Sequence, residues 1–418
     1  MTRPRLLFLC QTLPFPPDTG VAVRTWHILR VLSAAFDVTA LCFYRAKAHR
    51  GPAAVEAALA RIGQLARVEA FPIPQEHSRA RLAWDHARSV VRRRAYTNYV
   101  YESSAFRARL QALLASTRFD LAHVDSLDLS AYLPLLEGLP VVCVHHNVES
   151  RLLARRAAAE RSPALRGYLA LQAALTCREE ARWCERVRLN VAVSAPDRDE
   201  LRAIAPGGRF VVVPNGVDTR EFQPAEGDGR TLAFVGGTEW PPNVQAMEFF
   251  CREVLPRLRE RGDAPRVVWV GRASPEERRR YEQAYGVELT GYVDDVRPHL
   301  GGAACAIVPL RVGGGTRLKI TTAWAMGKAV VSTSVGCEGL DARHGENILV
   351  ADTPEEMAAA VHRVLHDGDL RARLERGARR TAEEVYDWEV IGREMVRAYR
   401  ELADSPAEPR GAVAAAAP

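Results

Sequence analysis

Residues 309–340, Pro-Leu-Arg-Val-Gly-Gly-Gly-Thr-Arg-Leu-Lys-Ile-Thr-Thr-Ala-Trp-Ala-Met-Gly-Lys-Ala-Val-Val-Ser-Thr-Ser-Val-Gly-Cys-Glu-Gly-Leu, decide the fold. They read as a buried strand, a glycine-rich turn at Gly313, Gly314 and Gly315, a helix with Arg317 and Lys319 near its start, and a second buried strand. Such a turn brings backbone N–H groups close to an anion, and the helix N-terminus adds a favourable dipole. Two cations at a helix start oppose that dipole unless an anion arrives. Thr316, Arg317 and Lys319 therefore point to a seat for a diphosphate rather than to an ordinary strand-to-helix connection.

The same alternation extends in both directions. Upstream, strand candidates fall at 6–10, 38–43, 68–71, 121–124, 141–145 and 190–194, with helical patterns such as 21–34, 106–114 and 165–187 between them. A connecting strand at 210–214 leads into the turn Asn215-Gly216-Val217-Asp218, and the pattern restarts. Strands follow at 231–235, 267–270, 287–290, 305–309, 329–333 and 348–351, separated by helices at 244–260, 275–284, 317–326, 354–366 and 368–384. Continuous apolar strands alternating with helices predict parallel sheets covered on both faces. A chain of 418 residues exceeds one α/β core, so the reading is an α/β protein of two doubly wound domains, 1–205 and 206–386. Ligands are expected where the carboxyl ends of the two sets of strands meet.

Composition narrows the partners. The net charge is +6, carried almost entirely by arginine, yet no helix-turn-helix, zinc-finger or aromatic RNA-binding pattern appears. Acidic small molecules or anionic lipid head groups are expected, and nucleic acid is not. No apolar run approaches a membrane span, and the first strand is too short for a signal-peptide core. A cytoplasmic location is therefore expected. The eight cysteines, at 10, 42, 143, 177, 184, 251, 305 and 337, contain no Cys-x-x-Cys pair and read as buried thiols.

Four further segments carry candidate chemistry. Val141–Glu149 delivers His146 and Asn147 to a strand end, where His146 is placed to bind a sugar hydroxyl or phosphate. Adjacent strand residues face opposite ways, so His145 reads as a core histidine. The loop Pro14–Gly20 covers the first strand, with Gly20 allowing close backbone approach and Arg24 in the next helical turn. In Phe234–Asn243, Gly236 and Gly237 are ligand-loop candidates, and Asn243 reads as the cap of the following helix. Gly291–Arg297 offers the backbone of Tyr292 and Val293 to a nucleobase, with Asp295 as a helix cap. The basic segment 79–94 interleaves Arg88, Arg92, Arg93 and Arg94 with Leu82, Trp84, Val90 and Val91. It reads as an anionic membrane contact, as a grip on a lipid-linked acceptor, or as a solvated helix with a buried stripe.

Residues 5–400 resemble the large retaining glycosyltransferase family called group 1 or family 4. The stretches that carry the resemblance are the loop ending at Gly20, His146-Asn147, Val213–Asp218, the Gly236 loop and Thr316–Lys319. It implies a GT-B fold, with two Rossmann-like domains facing a central cleft and a helix at 387–403 crossing back to the first domain; the Ala-rich tail at 404–418 has no packing pattern and is expected to be disordered. It also implies transfer from a nucleoside-diphosphate sugar to a hydroxyl on a glycan or lipid-linked acceptor, with retention and no obligatory metal or cofactor. Surface polysaccharide or glycolipid synthesis, peripherally on the inner membrane face, would be the setting. His146, Arg317 and Lys319 would be the catalytic residues, the last two stabilising the leaving diphosphate. The family places two glutamates where this chain has Gly314 and Thr322. Thr322 would still accept a ribose hydrogen bond, more weakly than a carboxylate. Glu338 and Glu346 repeat the glutamate spacing by coincidence, across the next loop, where Glu338 counts among the substrate-binding candidates. The Gly236 loop lacks the basic residue of many relatives. A degenerate GT-B protein that binds nucleotide or partner enzymes without catalysis is the alternative; a sugar-nucleotide epimerase lacks a convincing set of carboxylates.

Overall fold

The computed structural model describes residues 3–45, 49, 51–313 and 317–404. The chain forms two compact units, one from residues up to Val213 together with those from Gly392 onward, the other from Pro214 to Ile391.

The first unit is built on seven parallel strands: β1 (Arg5–Cys10), β2 (Asp37–Tyr44), β3 (Arg67–Pro72), β4 (Leu121–Val124), β5 (Val141–His145), β6 (Leu189–Ala192) and β7 (Phe210–Val212). Their order is β3-β2-β1-β4-β5-β6-β7. Strand β7, read from the sequence as a connection, is instead the sheet's edge, with Val211 opposite Val191. The apolar runs are buried because helices cover both faces; Leu6 to Cys10 are wholly inaccessible. Phe43 stacks on Phe106 at 4.5 Å, with Tyr132 beside them, and such side chains contribute about 1.5–3 kcal/mol each on burial.

The second unit repeats the design with six parallel strands: β8 (Thr231–Val235), β9 (Arg266–Val270), β10 (Val287–Leu289), β11 (Cys305–Val308), β12 (Ala329–Ser332) and β13 (Leu349–Val350), in the order β10-β9-β8-β11-β12-β13. In each sheet the order reverses beside its first strand, and the crevice outside those carboxyl ends is where doubly wound sheets bind ligands. Trp269 and Trp324 fill the core on which the ligand loops rest.

The helix Trp388–Asp404 starts in the second unit and continues into the first. Asp387 fixes its start, accepting hydrogen bonds from the N–H groups of Thr219 and Glu389. The Asn215–Asp218 turn packs there: a Cβ on Gly216 would lie 2.7 Å from Trp388. Farther along, Met395, Tyr399 and Leu402 are buried at helical spacing. Residues 405–418, expected as a disordered tail, lie outside the described residues. The cysteines are free thiols, all buried except the half-buried Cys177. No helix among the described residues is long and apolar enough to cross a membrane.

Candidate functional site

Each unit, taken by itself, carries candidate site residues at the carboxyl ends of its own strands. In the second unit three loops converge through glycines. Gly236 follows β8, Gly271 follows β9 and Gly291 lies just beyond β10, with φ of 157°, 153° and 80°. Gly271 and Gly291 form a backbone bridge. A Cβ on Gly271 would sit 2.5 Å from the Gly236 carbonyl oxygen, so no larger residue fits without moving the loop. The same carbonyl accepts the indole N–H of Trp269, which ties the loop to the core.

Asn243 connects this loop to the cation pair. It does not cap the helix Pro241–Phe249, whose N-cap is Trp240. Its amide instead donates to the Gly237 carbonyl at 2.8 Å, while its Oδ1 accepts from Lys319 Nζ at 2.7 Å. Asn243 is thereby turned inward, and a Cβ on Gly236 would strike it at 2.5 Å. Lys319, on the helix Leu318–Ala325, is half-buried and lies 4.4 Å from the Phe234 ring centroid and 5.7 Å from that of Trp240. Aromatic faces attract a cation, but they do not hydrate it. Burial, reinforced by the nearby Arg317 charge, brings Lys319 down to about 7. Arg317 is buried and donates to the Val335 carbonyl at 3.3 Å, in the loop that carries the exposed Glu338. Gly313, at φ 138°, packs against Trp240 and Arg317, where a Cβ would meet them at 3.1 and 3.3 Å. Thr322 is half-buried one turn along the helix from Lys319. Gly314, Gly315 and Thr316 lie outside the described residues.

Tyr292 is exposed and Val293 half-buried beyond the glycine bridge. Arg272 was not apparent from the sequence reading: its guanidinium lies 4.9 Å from the Tyr292 ring centroid, and its carbonyl accepts the N–H of Thr238 at 2.8 Å. The available signal was Val270-Gly271-Arg272, a glycine and a cation directly after a strand. Asp295, expected as a helix cap, is not the N-cap of the helix Arg297–Gly301, which is Val296; its Oδ1 accepts the backbone N–H and the Nε–H of Arg297 at 2.9 and 2.8 Å.

In the first unit, β4 and β5 place Asp125 and His146 side by side, with His146 Nε2 3.5 Å from Asp125 Oδ2. Asp125 is fully buried and also accepts from Thr25 Oγ1 at 2.7 Å. His123 Nε2 lies 3.4 Å from its other oxygen, while His123 Nδ1 is 2.8 Å from the Tyr399 hydroxyl. Burial alone would raise the Asp125 carboxyl, but His146 and His123 hold it well below the usual carboxylate range. His145 turns the opposite way, with Nε2 2.9 Å from Asn190 Oδ1, and burial lowers it to about 4; it is the core histidine expected. Arg24 is a correction. Expected at a ligand surface, it is 1% exposed and donates to the Val213 carbonyl at 2.8 Å, with burial lowering it to about 10. Four residues into its helix, its side chain runs inward beside Asp125 and Tyr399, which only the packing of β1, β4 and the C-terminal helix decides. Gly20 is exposed as the first residue of that helix, which Thr19 caps.

His146 and Asn147 also border a small cavity of about 20 Å³, room for a water molecule. Asn147 donates to Glu149 at 3.1 Å. Of the carboxyls on its wall that escaped the sequence reading, two are shifted by burial. Burial raises Asp128 to about 7, assisted by Glu149 and opposed by His146 and Arg45. Burial likewise raises Glu180 to about 7, against the hydrogen bond it accepts from the Ser150 N–H at 3.1 Å. Acids near neutrality beside a histidine can exchange protons with a bound hydroxyl. Neither belongs to a motif, since Asp128 lies in a 3₁₀ segment and Glu180 on the long helix Pro163–Cys184.

Comparison with known proteins identifies the family. Residues 229–367 match the family described as Glycosyl transferases group 1, and residues 19–221 match Glycosyltransferase Family 4. A phosphatidyl-myo-inositol mannosyltransferase of Mycobacterium tuberculosis is 28% identical over 220 residues, covering 49% of this chain and 57% of that protein's length. The protein of that name from Mycobacterium leprae is 26% identical over 367 residues, covering 80% of this chain and 83% of its own. Among solved structures, Anabaena HepE in complex with UDP superposes with a TM-score of 0.65 at 15% identity, over 95% of this chain and 100% of that one. With its paired doubly wound sheets, the chain belongs to the family 4, or group 1, glycosyltransferases of GT-B fold.

Proposed function

We propose that this chain is a retaining glycosyltransferase that moves a sugar from a nucleoside-diphosphate donor to a hydroxyl acceptor. The observation that carries this reading is Lys319: a half-buried lysine held over two aromatic rings, bonded to Asn243 and beside Arg317. A cation so poorly solvated is poised for an anion, and the start of the helix Leu318–Ala325 adds its dipole. As the glycosidic bond to the donor breaks, negative charge develops on the diphosphate, where Arg317 and Lys319 stabilise it. His146, oriented by Asp125, would contact the donor phosphate or an acceptor hydroxyl. The backbone of Tyr292 and Val293 would receive the base, and Thr322 a ribose hydroxyl. Gly20, Asn147, Gly236, Gly237, residues 313–316 and Glu338 would complete the substrate contacts. Similarity to phosphatidyl-myo-inositol mannosyltransferases and to a UDP-bound neighbour supports a nucleotide-sugar donor and a lipid-linked acceptor.

The helix Arg79–Arg92 supports a membrane-surface setting, for which the cytoplasmic face is the proposed side. It buries Asp85 and Ser89 while exposing Trp84 and Val91 at 63% and 81%. The sequence alternative of a buried apolar stripe does not hold. Aromatic and aliphatic groups beside Arg79, Arg92, Arg93 and Arg94 suit an anionic interface.

A second reading, nucleotide binding without transfer, rests on Gly314 and Thr322 standing where the family has glutamates. Calorimetric titration with UDP, GDP and their sugar conjugates separates the outcomes, repeated on Arg317→Ala with Lys319→Ala. The enzyme reading expects micromolar binding of one nucleotide, lost in the double variant, and slow release of free nucleotide when acceptor lipid is added. Binding with no turnover across acceptors would favour the second reading. No binding by the folded wild type would overturn both.

A further inference from the structure

At the opposite end of the second sheet from the ligand loops, Asp263, His362 and His366 meet. The helix Pro354–His366 presents the two histidines at i and i+4, hence on one face, in its last two turns. Asp263 stands three residues before β9, in the turn after the helix Leu255–Glu260, which packs against the histidine helix. Its carboxylate points between the rings, Oδ2 lying 2.8 Å from His362 Nδ1 and Oδ1 2.6 Å from His366 Nε2. The ring centroids are 4.5 Å apart. Among the described residues this is the trio whose nitrogen and oxygen donors converge, all within 4.8 Å of one another.

We propose that Asp263, His362 and His366 bind a divalent transition-metal ion of the zinc type. Two imidazoles and one carboxylate are a ligand set for such a metal, and a fourth position is left for water. Asp263 is 6% exposed, whereas the histidine side chains are 36% and 60% exposed. The buried carboxylate is the fixed ligand, and the more exposed rings are free to adjust to the metal. In the metal-free form each imidazole donates an N–H to Asp263. On binding, that proton moves to the outward ring nitrogen, and the inward lone pair is given to the metal. The helix C-terminus adds negative dipole at the site. Imidazole favours zinc, cobalt, nickel or copper, and magnesium and calcium prefer oxygen. Strand β9 separates the trio from Gly271 by about 15 Å, so the ion ties the helix end to the β9 turn and takes no part in transfer.

The test uses the full chain, stripped with EDTA and titrated with Co²⁺ as a visible-absorption probe, then with Zn²⁺ in competition. One equivalent of Co²⁺ should bind in the micromolar range, give d–d bands, and be displaced by Zn²⁺ and not by Mg²⁺. Those bands should vanish in H362Q/H366Q and weaken at least about tenfold in affinity in the milder single variant H366Q. Stoichiometric Zn²⁺ should also raise the melting temperature of the wild type by several degrees. Absence of one-equivalent binding by the wild type would overturn the proposal without reference to any variant. Equal binding by folded H362Q/H366Q would overturn it as well, by locating the metal elsewhere.

Discussion

Lys319 is where single-residue physics and function meet. Its lowered value of about 7, against an ordinary 10.5, comes from burial first and Arg317 second. Between those values the unfolded chain binds more protons at this residue than the folded one. Its contribution to stability therefore rises as pH increases through that window and is lost on acidification toward about 7. A bound diphosphate reverses the balance by favouring the charged ammonium. Nucleotide binding near about pH 8 should therefore take up a substantial fraction of one proton. Calorimetry in buffers of different ionisation enthalpy reads that uptake directly, and Lys319→Met should abolish it. Proton-neutral binding by the wild type would show that Lys319 does not face the phosphate.

Among the elements, the helix Arg79–Arg92 inverts the usual arrangement. Ala80, Trp84, Ala87 and Val91 follow a helical seam that faces solvent, while Asp85 accepts from Arg81 at 2.8 Å and Ser89 accepts from Gln172 at 2.8 Å on the inner side. A polar interior is stable only because each group is paired. The apolar seam thus has no role in the fold of its unit. Trp84→Glu with Val91→Glu should leave the melting temperature unchanged, since exposed substitutions stay within about 0.5 kcal/mol. Co-sedimentation with vesicles rich in anionic lipid should fall at least about tenfold. Retained sedimentation would assign the seam to another partner. A periodicity count finds the stripe in the sequence, but cannot say which way it faces.

For the molecule as a whole, the C-terminal helix packs into the first unit from far along the sequence. Gly392 lies against Val31, where a Cβ would come within 2.9 Å of a stiff β-branched side chain. Tyr399 reaches His123, itself stacked 4.1 Å from Phe8, and so touches the network behind His146. Gly392→Leu should destabilise the first unit by about 1–3 kcal/mol through overpacking. Urea unfolding followed by a first-unit probe such as Trp183 checks this; an unchanged midpoint would show that the helix docks loosely.

The parallel sheets, their glycine-ended strands, Arg317 and Lys319 were all determined by local pattern. Strand periodicity and glycine conformational preference act over a few residues and survive in a single sequence. What Asn243, Arg24, Arg272 and Asp128 do was decided by tertiary structure alone. Asn243 trades a capping role for a bridge to Lys319, 76 residues away, because the loop after β8 packs against the helix Leu318–Ala325. Arg24 trades a ligand surface for a buried carbonyl at Val213, 189 residues away. Hydrogen bonds and charge act through space, so the partner that fixes such a side chain has no fixed offset along the chain. The joining of Asp263 to two histidines about a hundred residues later has the same cause: only the folded chain brings those donors together.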